Sequence, residues 1–235
     1  MVNNKKKVVI VGLDGATWKL LLPWINQGEL PFFKKLMKSG VYGNLKSTIP
    51  PMTAPAWVSF QTGVNPGKHG VFDFVEYDKN GEEHIVNSDS IKIPKIWEIL
   101  EKYGKKSCII NMPVTYPPSK TKKSIIISSF LTPPGKPYTS PPEIQRELEK
   151  INYQIDVLFE KYGLFISGED LLKNRSKIYK QAFKISDIRK KAVLSLSKEK
   201  WDLLFVLFRG TDTIQHLYWN SKKTNVDFWH YFYSN

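Results

Sequence analysis

Residues 7–15 read KVVIVGLDG, and this short stretch decides the fold of the chain. It begins with a continuous run of β-branched and aliphatic residues, which is typical of a strand buried on both faces of a parallel sheet. The run ends in Asp14 and Gly15, a pair that favours a turn. We therefore expect a first buried strand with Asp14 at its carboxyl end.

Similar apolar runs alternate with amphipathic stretches along the rest of the chain. The run WDLLFVLF at 201–208 predicts another buried strand. Further strands are predicted at 43–49, 107–111 and 124–130, and helices at 17–26, 31–38, 93–103, 143–152 and 169–198. Strands that alternate with helices indicate an α/β fold with a mostly parallel sheet sandwiched by helices.

Two proline-rich stretches, 113–118 and 133–142, are typical of loops or of the edges of an inserted subdomain. We expect 1–112 to form the amino-terminal part of the α/β core. Residues 113–200 are then an inserted cap-like segment with helices, and 201–235 return to the core. The lysine-rich helix at 169–198 is open to two interpretations, a solvated helix face or a basic rim that attracts an anionic substrate.

The composition excludes several classes of protein. Hydrophobic residues make up 41% of the 235 residues, which excludes a disordered chain. Cys108 is the single cysteine, so the chain has no intramolecular disulfide and suits a reducing compartment. No signal peptide and no apolar run of about 20 residues is present, so we expect a cytoplasmic protein without a membrane partner. The net charge of +13 is typical of proteins that bind polyanions, but no nucleic-acid-binding motif accompanies it.

Four residues stand where strand ends or short loops meet helices: Asp14, Thr53, Asp212 and His216. Each has a simple structural explanation by itself. Asp14 fits a turn, Thr53 and Asp212 fit helix N-caps, and His216 fits a surface imidazole. Because ligands gather at the carboxyl ends of parallel strands, we expect the four to meet at one edge of the sheet.

Together these side chains offer the ligands that zinc or manganese prefers. Asp212 and His216 are four residues apart, so they share a helix face and suit one ion, while Asp14 and Thr53 suit a second. A hydroxyl bound to a divalent cation loses its proton readily, which would make Thr53 a nucleophile. The chemistry predicted is an in-line displacement at phosphorus.

The same stretches resemble a known family. The runs VIVGLDGATWKLLLPW and LPFFKKLMKSGVYGNLKSTIPPMTAPAWVSFQTGVNPGKHGVFDF look like the amino-terminal half of the alkaline phosphatase superfamily, and RGTDTIQHLYW resembles its next motif. The resemblance is closest to the predicted phosphohydrolase/phosphomutase branch, near the type I phosphodiesterases and nucleotide pyrophosphatases. It implies that Thr53 forms a covalent phospho-enzyme, that Asp14 binds the first metal, and that Asp212 and His216 bind the other.

The sequence also departs from the family pattern. Phe74 stands where phosphodiesterase relatives carry an asparagine that contacts phosphate, which disfavours a nucleotide substrate. A later Asp-His pair and a further histidine, which would complete both metal sites, have no counterpart in this sequence. The one histidine after His216 is His230, three residues after Asp227, and it is not expected to be a ligand. His69 matches a family motif, and a structural hydrogen bond in a turn is its expected role.

We therefore expect the amino-terminal portion of a metal-dependent phosphohydrolase or phosphodiesterase with two zinc or manganese ions, the second site being incomplete. Its substrate would be a small phosphate ester. The alternative is a non-catalytic fragment that keeps the fold and binds anions or a partner without turnover. An aromatic end, with Phe228, Trp229, Tyr231, Phe232 and Tyr233, predicts self-association into a homo-oligomer.

Overall fold

A computed structural model describes residues 6–155 and 168–219 of the chain. In chain order its strands are β1 (Val8–Leu13), β2 (Val75–Tyr77), β3 (Glu83–Ile85), β4 (Ser107–Met112), β5 (Ile125–Ser128), β6 (Thr139–Ser140) and β7 (Leu203–Phe208). Its helices are α1 (Trp18–Asn26), α2 (Pro31–Ser39), α3 (Thr53–Thr62), α4 (Pro66–His69), α5 (Ile96–Lys102), α6 (Glu143–Glu149), α7 (Gly168–Leu196) and α8 (Gly210–Tyr218). Among the described residues, no helix has both the length and the apolar character needed to cross a membrane.

Five strands form the central sheet in the order β1-β7-β4-β5-β6, and β2 pairs with β3 in a separate antiparallel hairpin. Strand β4 runs parallel to both β5 and β7, and β5 pairs with β6 in the antiparallel direction. The expected α/β fold with a mostly parallel sheet flanked by helices is therefore confirmed.

The burial of strand β1 differs from the prediction. The sequence predicts burial on both faces, but Val9 and Val11 are each 56% exposed, and Val8 is also exposed. In the described part of the chain β1 lies at the edge of the sheet, with β7 as its one neighbouring strand. By contrast, every residue of β4 is buried between two neighbouring strands.

The prediction of a strand at 43–49 is wrong, because these residues form no regular secondary structure. Leu45 and Ile49 are almost fully exposed, so the alternating pattern has no apolar face to bury. The carbonyl of Gly43 instead accepts a hydrogen bond from the Trp18 indole at 3.0 Å.

The chain divides into two compact units. We call Met1–Gly12, Ser47–Leu164 and Ile188–Leu207 the sheet unit, and Leu13–Lys46, Phe165–Asp187 and Phe208–Asn235 the second unit. The core of the sheet unit includes buried Trp97, Ile109, Ile126, Phe205 and Leu207. The second unit has one cluster around Leu21, Trp24, Ile25 and Leu30 and another around Ala182 and Ile214. The division into 1–112, 113–200 and 201–235 stays a prediction.

Candidate metal and phosphate site

Asp14 follows β1 directly and lies in the second unit. Its backbone N–H donates to the Phe208 carbonyl at 3.0 Å, and its carbonyl accepts from the Thr211 hydroxyl at 2.5 Å. The residue is only 6% exposed. The guanidinium Nε of Arg209 lies 3.8 Å from Asp14 Oδ2 and balances part of the carboxylate's charge. Two backbone hydrogen bonds and a neighbouring cation thus fix the acid predicted to bind the first metal.

Asp212 and His216 lie on α8, one in its first turn and the other in its last. Their four-residue spacing places Asp212 Oδ1 3.4 Å from His216 Nε2, as the helical period predicts. The hydrogen bond and the charge of Asp212 raise the pKa of His216, and the more distant carboxylate of Asp14 acts in the same direction. The His216 side chain is 70% exposed, so its ring is accessible to solutes.

Gly15 allows the turn after β1 to approach α8 closely. A Cβ atom on Gly15 would lie 3.0 Å from Asp212 Cα and 3.2 Å from its Oδ1, and the Gly15 φ of +70° disfavours any side chain. The amide of Gln215 donates to the Gly15 carbonyl at 2.7 Å, which ties the same turn to α8. This packing within the second unit brings the Asp14 turn and Asp212 together.

The side-chain types of this site suit a divalent cation. Two carboxylates and an imidazole are ligand types that zinc and manganese prefer. Arg209 opposes metal binding at this site, because its positive charge next to Asp14 repels a cation. A metal must also displace any proton from His216, since only the neutral imidazole is a ligand.

Thr53 is the first residue of α3 and belongs to the sheet unit. The sequence suggests an N-cap at this position, but the N-cap is Met52, and no side chain caps the helix. The Thr53 hydroxyl makes no hydrogen bond to any residue that the structure describes. A capping function therefore does not account for the hydroxyl. That Thr53 meets the three ligands of the second unit stays a prediction.

Two features of the sheet unit hold α3 in place. A Cβ on Gly12 would lie 2.7 Å from Leu207 Cδ1 and 2.8 Å from Trp57 Cη2, so only glycine lets Trp57 of α3 pack this closely on β1. Trp57 also packs edge-to-face on Phe205 at 5.9 Å between ring centroids. Gly12 therefore determines how the helix with Thr53 sits on the sheet.

The second feature is His69, which is fully buried at the end of α4. Its Nδ1 accepts from the Val71 N–H at 3.1 Å, which agrees with the expected turn hydrogen bond. Because Nδ1 accepts, the proton of the neutral ring is on Nε2, which lies 2.9 Å from Ser59 Oγ on α3. A backbone hydrogen bond with Pro55 also reaches the first turn of α3, while burial lowers the pKa of His69. The ring therefore joins the 65–71 loop to the helix that begins at Thr53.

Phe74 has a structural role. It packs on Phe130 at 5.7 Å between ring centroids, beside the buried cluster that includes Ala54 and Val58 of α3. An aromatic side chain used in this way offers no polar contact to a phosphate. Asp227 and His230, together with the aromatic end at 228–233, lie outside the described residues.

Sequence reasoning missed three residues of the site, namely Arg209, Thr211 and Gln215. All three lie in or beside RGTDTIQH, where the prediction singled out only Asp212 and His216. Their position next to the predicted ligands was the available signal. Their contacts with Asp14 and Gly15 depend on residues about 200 positions earlier, which no local pattern reveals.

A separate group of ligand-type side chains, Asp78, Glu82 and His84, lies on the β2–β3 hairpin. Asp78 Oδ1 accepts from the backbone N–H groups of Asn80 and Glu82, which stabilises the turn. Glu82 and His84 are exposed. Turn formation explains the Asp78 carboxylate without a metal.

Comparisons with known proteins agree with this architecture. Two structures of phosphonoacetate hydrolase from Sinorhizobium meliloti 1021, in complex with phosphonoacetate and with phosphonoformate, are each similar with a TM-score of 0.68 and 17% sequence identity. Each match covers 98% of this chain and 52% of the hydrolase chain, so this chain spans about half the length of that enzyme. The likeness shows a shared fold.

No match was found among curated protein sequences. The family model described as type I phosphodiesterase / nucleotide pyrophosphatase matches residues 8–228, which include β1, α3 and α8. The match confirms the resemblance noted in the sequence. The chain belongs to the type I phosphodiesterase/nucleotide pyrophosphatase family.

Proposed function

We propose that this chain supplies the nucleophile and part of the metal site of a phosphate-ester hydrolase that uses zinc or manganese. The observation that supports the proposal is the close packing of the Asp14–Gly15 turn on α8, the helix that carries Asp212 and His216, within the second unit. Membership of the phosphodiesterase family supports the same reaction class.

In this proposal Asp14 and Thr53 would hold one ion, and Asp212 and His216 would contribute to the other. Bound divalent cations would supply Lewis acidity near the phosphate and lower the pKa of a neighbouring hydroxyl. Thr53 Oγ1 attacks phosphorus, the ester P–O bond breaks, and the departing alkoxide takes up a proton from solvent. The Thr53 hydroxyl releases its own proton to solvent. Water then cleaves the phosphothreonine and restores the hydroxyl.

The start of α3 suits phosphate binding and attack by Thr53 even without the metal ions. The first N–H groups of a helix have no partner within the helix, and they favour an anion at its N-terminus. No side chain caps α3, so the N–H groups of Thr53 and Ala54 are available to a phosphate oxygen, while Pro55 has no N–H. Gly12 and His69 hold the helix, which keeps Thr53 in one place for attack.

A small phosphate mono- or diester is the proposed substrate class. Phe74 lies in an apolar contact with Phe130 and provides no amide for the phosphate of a nucleotide. This favours esters other than nucleotides as substrates of the site.

The proposal is tested by hydrolysis of p-nitrophenyl phosphate and bis-p-nitrophenyl phosphate with added Zn²⁺ or Mn²⁺. Thr53→Ala should abolish metal-dependent hydrolysis, whereas Thr53→Ser, which keeps a hydroxyl, should retain part of it. Thr62→Ala is the matched control, because the Thr62 hydroxyl lies at the other end of α3 and bonds only the Val58 carbonyl. Peptide mass mapping after acid quenching should find the phosphate on Thr53. Undiminished turnover by Thr53→Ala would remove Thr53 from the mechanism.

A second candidate is a non-catalytic protein that keeps the fold and binds anions. The position of Arg209 beside Asp14 favours it, since this cation opposes metal binding and attracts phosphate. Calorimetric titration with Zn²⁺ separates the two candidates. Tight binding that is lost in Asp212→Asn supports the hydrolase, and the absence of metal binding by the wild-type chain supports the second candidate.

A further inference from the structure

A cavity of about 320 Å³ lies at the amino ends of β4, β5 and β7 in the sheet unit. Three chain segments line it, at 106–108, 123–125 and 198–201. None of its lining residues belongs to the candidate metal and phosphate site. The family motifs quoted above do not include these segments either.

The lining is strongly basic. Lys106, Lys123, Lys198 and Lys200 line the cavity together with a single acid, Glu199. Within the described part of the chain, none of the four lysines forms an ion pair. The nearby Asp202 does not neutralise them, because its carboxylate bonds the Lys105 ammonium and the Lys106 backbone N–H. Four like charges around one cavity repel one another unless an anion lies between them.

The backbone that carries these lysines is fixed by hydrogen bonds. The Lys106 carbonyl accepts from the N–H groups of Asp202 and Leu203, which ties it to the start of β7. The Lys123 N–H donates to the Glu101 carboxylate at 3.0 Å, and the Lys198 N–H donates to the Ser195 carbonyl at 3.2 Å. The backbone from which these lysine side chains extend is therefore preorganised.

Ser107 provides an independent observation. It lines the same cavity and is 2% exposed, yet its hydroxyl has no hydrogen-bond partner among the described residues. An unpaired buried hydroxyl costs free energy, and a ligand oxygen that reaches Ser107 Oγ would remove that cost. Trp201 also lines the cavity, and the Lys7 ammonium lies 4.4 Å from its ring centroid, which adds a further positive charge.

The neighbouring thiol does not suggest a reactive site. Cys108 also lines the cavity, but burial raises its pKa to about 12, so the sulfur remains a thiol at neutral pH. The cavity is therefore suited to binding and not to thiolate chemistry.

We propose that this lysine cavity binds the di- or triphosphate group of a small molecule. The four lysines and one glutamate give the lining a net charge of +3, which matches a polyphosphate better than a single phosphate. Lysine acts as a point charge toward phosphate oxygens, and the volume exceeds that of one phosphate group.

Calorimetric titration of the full chain, freed of metal by dialysis, with tripolyphosphate tests the proposal. We expect one bound anion per chain, weaker binding of orthophosphate, and weaker binding at higher salt because exposed charges are screened. The variant K106Q/K123Q/K198Q/K200Q should lose affinity about tenfold or more, since each exposed ion pair contributes a small free energy. The triple variant K123Q/K198Q/K200Q leaves half-buried Lys106 in place. It should therefore lose less affinity for tripolyphosphate than the quadruple variant does.

The matched control is K34Q/K35Q/K38Q/K136Q, which removes four exposed lysines outside the cavity and gives the same net charge. It should keep the wild-type affinity within about twofold. Ser107→Ala should weaken tripolyphosphate binding without lowering the free energy of unfolding, because it deletes an unpaired buried hydroxyl. A control variant that loses as much affinity as the cavity variant, or a wild-type chain that does not bind tripolyphosphate, overturns the proposal.

Comparison of tripolyphosphate with ATP identifies the source of the phosphate group. Equal affinities indicate recognition of the phosphates alone, and tighter binding of ATP indicates additional contact with the nucleoside. A single-stranded DNA oligonucleotide that competes for the same lysines and binds more tightly than either would overturn the assignment to a small molecule. The result is independent of hydrolysis at Thr53.

Discussion

Gly15 and Asp212 lie so close together that a Cβ atom on Gly15 would be 3.0 Å from the Asp212 Cα. The change Gly15→Ala should therefore displace Asp212 and weaken Zn²⁺ binding. It should also destabilise the fold by about 1–2 kcal/mol, because alanine disfavours the positive φ at this position. Calorimetric Zn²⁺ titration and urea unfolding measure the two effects.

Gly28→Ala is the control for this prediction. Gly28 also has a positive φ, but no atom lies within 4 Å of its would-be Cβ. It should share the loss of stability and keep the wild-type Zn²⁺ affinity. Equal Zn²⁺ affinities in the two variants would show that the contact with Asp212 is unimportant for metal binding.

Arg209 should limit metal affinity through its position 3.8 Å from Asp14 Oδ2. Arg209→Gln removes a positive charge next to a metal-binding carboxylate, so we expect Zn²⁺ to bind at least about threefold more tightly. Arg209→Lys keeps the charge and should stay near the wild-type value. A weaker Zn²⁺ affinity in Arg209→Gln would mean that the guanidinium organises Asp14 and does not oppose the metal.

His69 should make the fold sensitive to acid. Burial holds the pKa of folded His69 below its ordinary value of 6.5, so below that pH the unfolded chain binds a proton that the folded chain does not. The free energy of unfolding should therefore fall as the pH decreases from about 7 to about 5. Urea unfolding at several pH values measures this dependence.

The variant His69→Asn separates the imidazole from other titrating groups. Asparagine can still accept a hydrogen bond from Val71, but it does not titrate, so stability should change less with pH. His84→Asn, at an exposed position of β3, should leave the wild-type dependence unchanged. If His69→Asn shows the full wild-type dependence, the acid sensitivity arises elsewhere.

The exposed edge of β1 should promote association of the chain with itself. Val9 is 56% exposed on an edge strand, and a charge at such a position opposes edge-to-edge pairing. Val9→Lys should lower the weight-average mass in sedimentation equilibrium. Leu194→Lys is the control, since Leu194 is 57% exposed on α7 and is not part of a sheet. The same decrease in both variants would point to net charge and not to the strand edge.

Several elements of this protein were predictable because their signals are local. The apolar runs gave β1 and β7 within a residue or two, and helical spacing placed Asp212 beside His216. The apolar period in the 169–198 helix likewise matches buried Ile178, Ala192 and Leu196 on α7. Each of these signals involves residues only a few positions apart. The geometry of a helix or a strand fixes how such residues lie relative to one another, so the sequence suffices to predict it.

Other features depended on partners that are remote in the sequence. Residues 43–49 alternate like a strand but pair with none of the strands that the structure describes. The role of His69 in joining the 65–71 loop to α3 also depends on such packing. Its hydrogen bond with Ser59 joins α4 to α3, and its Nδ1 accepts from the Val71 N–H.

The sequence by itself determined which residues have metal-binding chemistry and that the protein has an α/β fold, because residue type and hydrophobic period are properties of the linear chain. Only the tertiary structure placed β7 next to β1 and brought Arg209 and Asp212 to the Asp14 turn. Strand order follows from the packing of the entire core, and no local pattern encodes it.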